Sequence, residues 1–154
     1  MIQKEMCCAL SLRGRGRIRG VARRVTEKGV FSEPEAAYLT KQVLEGVAYL
    51  HSKGIVHRDL KLENILLADN TAKTTIKIAD FGLSKVFSAS TTLSTVCGSP
   101  LYMAPELLTV EQQGDYSPAV DVWSVGVVLF ILLAGYSPFG ALPHLHATES
   151  RLRM

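Results

Sequence analysis

Residues 57–64 read His57-Arg58-Asp59-Leu60-Lys61-Leu62-Glu63-Asn64, and the rest of the chain is arranged around them. This polar octet lies between two short apolar runs, Ile55-Val56 before it and Ile65-Leu66-Leu67 after it. Ile55-Val56 reads as a short strand. Asn64–Ala68 and Thr75–Ala79 read as two more, joined by a turn around Asp69-Asn70. Upstream, Ser32-Glu33-Pro34-Glu35 has the form of a capping box with proline in the first turn. Leu39, Val43, Val47 and Leu50 then recur at helical spacing, which predicts a helix from Glu33 to His51, stopped by Gly54. Downstream, the Ser/Thr-rich stretch from Phe87 to Thr95 reads as loop, Pro105–Val110 as a short helix and Pro118–Leu133 as a longer buried one. The apolar run from Ala119 to Ala134 is interrupted by Asp121 and Ser124 and falls short of the roughly 20 apolar residues of a membrane span. The fold class is therefore α+β, mainly helical, with short β-hairpins around the octet.

Two further triplets follow in order: Asp80-Phe81-Gly82, then Ala104-Pro105-Glu106. Each triplet alone is weak, but all three motifs in sequence, set between predicted strands and helices, are specific. The octet fits the pattern H-R-D-L-x-x-x-N at every specified position. On these residues the chain resembles the eukaryotic protein kinases of serine/threonine type, and within them the calcium/calmodulin-dependent and checkpoint kinase group. The resemblance is carried by VHRDLKLENILL (56–67), IKIADFGLSKV (76–86), STVCGSPLYMAPEL (94–107) and AVDVWSVGVVLFILLAGYSPF (119–139). It implies the mainly helical larger lobe of a kinase-like fold, acting on protein substrates with ATP and Mg²⁺ as cofactors.

The chemistry needs these residue types, because phosphoryl transfer asks a protein for positioning and charge neutralisation more than for covalent help. Asp59 would take the proton of a substrate hydroxyl, and Lys61, two residues on, would offer a point charge to the phosphate in transfer. Asn64 and Asp80 supply hard oxygen ligands suited to Mg²⁺. The resemblance implies the remaining roles. Arg58 would pair with an activation-loop phosphate, and Thr95 sits where related kinases carry the activating phosphothreonine, with Thr91, Thr92 and Ser94 competing for that reading. An upstream activating kinase would then be a partner. Ser99 keeps the hydroxyl that the family usually supplies from threonine beside the catalytic Asp. His57 and Phe81 would stack in an apolar spine, with Gly82 completing the triplet. Asp121 would brace the octet from the buried helix, since a lone acid in so apolar a helix needs hydrogen-bond partners. Glu63 joins the nucleotide-side set and would favour basic residues in the substrate. Glu106 is the glutamate that in the family pairs with a later arginine.

The chain has 154 residues, is 47% hydrophobic and 20% charged, and carries a net charge of +3, a composition that suits a packed core rather than a disordered chain. The basicity sits in residues 1–24, which hold seven Lys/Arg against one acid, while the remainder holds ten against thirteen. Residues 1–24, with alternating Arg and Gly, read as a flexible leader, and the mildly acidic body argues against nucleic acid as a partner. Three cysteines, two of them adjacent, build no disulfide framework. This points to a reducing compartment, the cytoplasm, with the nucleus as the alternative. Residues 1–10 lack the cleavage signal of a secretory peptide, and His144 and His146 lack companion ligands for a metal. The expected organisation is a leader (1–24), a partial kinase domain (25–140) and an unplaced tail (141–154). Neither a G-x-G-x-x-G-x-V loop nor a V-A-I-K-like lysine is found in the sequence, so weak activity is expected of this segment by itself.

Overall fold

The computed structural model describes residues 19–69, 71, 73–87, 97–108 and 117–140. In chain order these form β1 (Arg19–Gly20), α1 (Val21–Lys28), α2 (Glu33–Ser52), β2 (Ile55–Val56), β3 (Ile65–Leu67), β4 (Ile76–Ile78), β5 (Lys85–Val86) and α3 (Ala119–Ala134). Three 3-10 turns, Leu62–Asn64, Pro100–Tyr102 and Pro105–Leu108, complete the set.

Helix α2 begins where its capping sequence says it should. The Glu35 carboxylate reaches back to the Ser32 hydroxyl at 2.9 Å and the Ser32 amide at 3.2 Å, and Lys28 Nζ donates to it at 2.6 Å. The Lys28 ammonium and the two Ser32 donors bring the Glu35 carboxyl down to about 2. The apolar stripe Ala36, Leu39, Val43, Val47 is buried against α3, whose Val125, Val128, Ile131 and Leu132 share the same core. Leu60, Leu62, Ile65 and Leu67 enter that core from the other side. The octet is thus pinned to the molecule by leucines on each side of its polar positions.

β3 and β4 pair antiparallel with Ile65 opposite Ile78 and Leu67 opposite Ile76. The pairing continues past both ends through Ala68 N–H to Thr75 O (2.9 Å) and Ala79 N–H to Asn64 O (2.8 Å), which recovers the fuller extents predicted from sequence. β2 pairs antiparallel with β5, and Phe87 N–H adds a bond to Gly54 O at 2.7 Å. The expected helix over Pro105–Val110 is a 3-10 turn ending at Leu108, and residues 109 and 110 lie outside the described set.

One expectation fails. The flexible leader over residues 1–24 is ordered from Arg19 on: Arg19 and Gly20 pair with Leu67 and Leu66 as a third strand, and α1 follows directly. The boundary placed after Arg24 falls inside that helix. Val21 and Val25, four apart, lie on one face and are both buried, while Arg23 and Glu27 form an ion pair at 2.6 Å on the solvent side. An eight-residue helix with two apolar anchors has too weak a period to stand out among arginines. Residues 1–18 and the tail 141–154 lie outside the described set.

Candidate active site

The octet leaves β2 and turns sharply. His57 N–H and Arg58 N–H both point at α3, donating to Asp121 Oδ2 at 2.9 Å and Oδ1 at 2.8 Å. Asp121 is fully buried, and His51 Nε2 at the end of α2 lies 2.8 Å from its Oδ2. One carboxylate therefore collects three partners and ties α2, α3 and the octet together. The turn puts Arg58 at φ 68°, in the left-handed region, which its two flanking contacts hold: the Asp121 bond and Arg58 Nε to Leu83 O at 2.6 Å.

The His57 ring is buried beneath the octet. Its Nε2 lies 3.0 Å from Ala79 O, and its Nδ1 accepts from Asp59 N–H at 3.3 Å, so the network assigns the proton to Nε2. Burial lowers its pKa below the ordinary histidine value, outweighing the opposing pull of the Ala79 carbonyl and of Asp121, Asp59 and Asp80. Phe81 packs on this ring at 5.0 Å between centroids, tilted by 59° rather than stacked in parallel.

Asp59 stands at the centre. Its Oδ2 accepts from Lys61 Nζ at 2.7 Å and Asn64 Nδ2 at 3.2 Å, and its Oδ1 accepts from Ser99 Oγ at 2.9 Å. Lys61 Nζ also donates to Ser99 Oγ at 3.0 Å, so lysine, serine and aspartate close a triangle. Burial alone would raise the Asp59 carboxyl; the bonds from Lys61, Ser99 and Asn64 overcome it and leave the group below the usual carboxylate range. Asp59 is thus an ionised acceptor at neutral pH, with lone pairs to spare on a partly covered carboxylate.

Asn64 is buried in the 3-10 turn, and its Nδ2 also donates to Asp59 O at 2.8 Å. Both of its amide contacts are through nitrogen, which leaves the side-chain oxygen as a ligand. Asp80 is exposed at φ 62°, with Oδ1 accepting from Gly82 N–H at 3.2 Å. An amide oxygen and a carboxylate, both hard donors, fit Mg²⁺ held partly by phosphate and water. Among the described residues there is no cluster of three or more His, Cys, Asp or Glu able to hold a metal by themselves. Glu63 is exposed in the same turn as Asn64, and Glu106 is exposed in the turn Pro105–Leu108. Thr95, with Thr91, Thr92 and Ser94, lies outside the described residues.

His51 was not singled out from sequence. Its signal was present: it continues the Leu39, Val43, Val47 series by four and so lies in line with the buried stripe. Tyr102 was also missed. It packs beneath the octet with its hydroxyl buried beside the Leu62 backbone, and burial together with the nearby Glu63 charge raises its pKa.

The family model for the protein kinase domain matches residues 3–154. The chain belongs to the protein kinase family. The match begins ahead of residue 25 and runs past residue 140. Similar proteins include human calcium/calmodulin-dependent protein kinase type IV, 53% identical over 116 residues (75% of this chain, 24% of that protein). Rat calcium/calmodulin-dependent protein kinase type 1B is 53% identical over 116 residues (75% and 33%). A probable myosin light chain kinase of Dictyostelium discoideum is 52% identical over 118 residues (77% and 33%). The chain spans about a quarter to a third of the length of these relatives. The kinase family works on protein substrates with ATP and Mg²⁺. No helix among the described residues is long and apolar enough to cross a membrane.

Proposed function

We propose that this segment is the catalytic part of a serine/threonine protein kinase, belonging to the larger lobe of that fold, and that it directs the γ-phosphate of Mg-ATP to protein hydroxyls. The observation that carries this reading is the Asp59–Lys61–Ser99 triangle with Asn64 against it. Asp59 accepts the hydrogen of the incoming hydroxyl and orients that oxygen for attack. The new bond joins this oxygen to phosphorus, the bond from phosphorus to the bridging oxygen breaks, and ADP departs. Lys61 sets its ammonium beside the transferring charge. Mg²⁺, when bound, neutralises phosphate charge; the Asn64 side-chain oxygen and the Asp80 carboxylate are the residues that would hold it. Lysine two residues after the base supports the serine/threonine type.

Regulation follows from Arg58, whose guanidinium lies at the edge of the octet and would pair with a phosphate on Thr95 placed there by an upstream kinase. The substrates would be proteins with basic residues facing Glu63, and the site of action the cytoplasm or nucleus. The alternative reading is a binding or regulatory module that no longer transfers phosphate.

The deciding experiment measures Mg-ATP-dependent phosphorylation of a serine peptide by the chain. In parallel it uses human type IV kinase in which the matched segment is exchanged for this one. The exchange protein should transfer phosphate, and Asp59→Asn should cut its kcat by at least about a hundredfold. An exchange protein that folds and binds ATP but transfers nothing would overturn the catalytic reading in favour of the second one.

A further inference from the structure

The triangle around Asp59 joins two parts of the chain that are forty residues apart, and a hydrogen bond across such a gap forms only if the backbones can approach. Next to Ser99, where the second part meets the octet, there is a glycine. Gly98 has φ 117°, a conformation that residues with a Cβ rarely adopt. A Cβ placed there would lie 2.6 Å from the carbonyl oxygen of Arg58 and 3.8 Å from its carbonyl carbon. That obstacle is backbone and cannot rotate away. It is also fixed from the far side, because Arg58 N–H is held by the buried Asp121 carboxylate at 2.8 Å and the Arg58 side chain by Leu83 O at 2.6 Å. The residue after Gly98 is Ser99, whose hydroxyl donates to Asp59 and accepts from Lys61.

We infer that Gly98 is a positioning residue: the missing side chain lets its backbone lie on the Arg58 carbonyl, and only at that distance does Ser99 reach Asp59 and Lys61. The inference deepens the catalytic reading given above and rests on it, in that it assigns the device that seats the activation segment on the octet. Any side chain at 98 would push the two backbones apart. The Ser99 hydroxyl would then withdraw, and Asp59 and Lys61 would keep their mutual bond without their third partner.

The test separates approach from chemistry. NMR on the full chain would follow contacts between protons of residue 99 and the Lys61 side chain. Phosphate transfer would be read in the same variants of the exchange protein. Gly98→Ala is expected to lose the contacts and to lower kcat about ten- to a hundredfold, the worth of a hydrogen bond to a charged group, with little change in the KM for ATP. Ser99→Ala, which crowds nothing, is expected to keep the methyl–Lys61 contact while kcat falls by a similar factor, and Ser99→Thr to restore it. The double variant should fall no further than the worse single one. Gly126→Ala, where a Cβ meets nothing within 4 Å, is the control and should leave contacts and rate as they are.

The inference is overturned if Gly98→Ala retains the contacts, or if the two losses multiply. It is equally overturned if Ser99→Ala loses the contact, since the bond rather than the glycine would then set the approach. That last arm decides the matter even if the Gly98→Ala chain fails to fold. Absence of transfer in every version would sink the catalytic reading and leave the NMR result to judge Gly98 on its own.

Discussion

At the scale of single residues, Asp121 joins α2, α3 and the octet. It is fully buried in an otherwise apolar helix and accepts from two backbone amides of the octet, with His51 as its third partner. Removing the carboxylate leaves two buried N–H groups without acceptors, each worth about 1–3 kcal/mol. Asp121→Ala should therefore destabilise the chain by roughly 2–6 kcal/mol, read as a shift in urea midpoint. Asp121→Asn keeps one acceptor oxygen and should lose about half as much. The sequence announced the need for partners at Asp121, but not which groups would meet it. Nor did it announce that Arg58 and Asp80 both adopt positive φ, because neither is a glycine and the pattern of side chains says nothing about backbone handedness there.

At the scale of elements, α2 was legible from its apolar period and its opening punctuation by Ser32 and Pro34, and α3 from its long apolar run. Their observed ends differ from the expected ones by a residue. β5 was not legible, since two residues with one apolar side chain make no period, and its pairing with β2 is a tertiary fact. α1 was read as part of an arm because its arginines dominate the composition. Its anchoring can be tested directly. Val25→Ala should cost about 1–3 kcal/mol in thermal or urea unfolding, since the side chain is buried at 2% exposure. Arg23→Ala, on the exposed face, should change stability by less than about 0.5 kcal/mol. Equal and negligible effects from both would return α1 to the status of an appendage.

At the scale of the whole molecule, acid sensitivity should be set first by His57 and then by Asp59. Both have folded pKa values below their ordinary ones, 6.5 and 3.8. For each, the stabilising contribution is complete above the ordinary value and is lost as pH falls through the folded one, because the unfolded chain binds a proton that the folded chain resists. The melting temperature should thus decline as pH falls below about 6.5, and His57→Gln should flatten that decline. The molecule also presents exposed apolar surface. An open groove of about 680 Å³ lies between α2 and α3, lined by Ala36, Ala37, Leu44, Leu129 and Leu133. Two aromatic pairs, Trp123 with Phe139 and Phe130 with Tyr136, are exposed on and just after α3. Such surface favours association, so light scattering should rise with protein concentration, and Leu133→Glu should reduce it. The dependence of the octet on Asp121 also bears on folding order. The two amides of residues 57 and 58 find their acceptor 64 and 63 positions later in the chain. Closing a loop of that size must precede any reward from the bonds it makes. A ribosome that has just released the octet has therefore made the reactive residues but not the site: until α3 emerges and docks, Asp59 has its neighbours in sequence and none of its geometry.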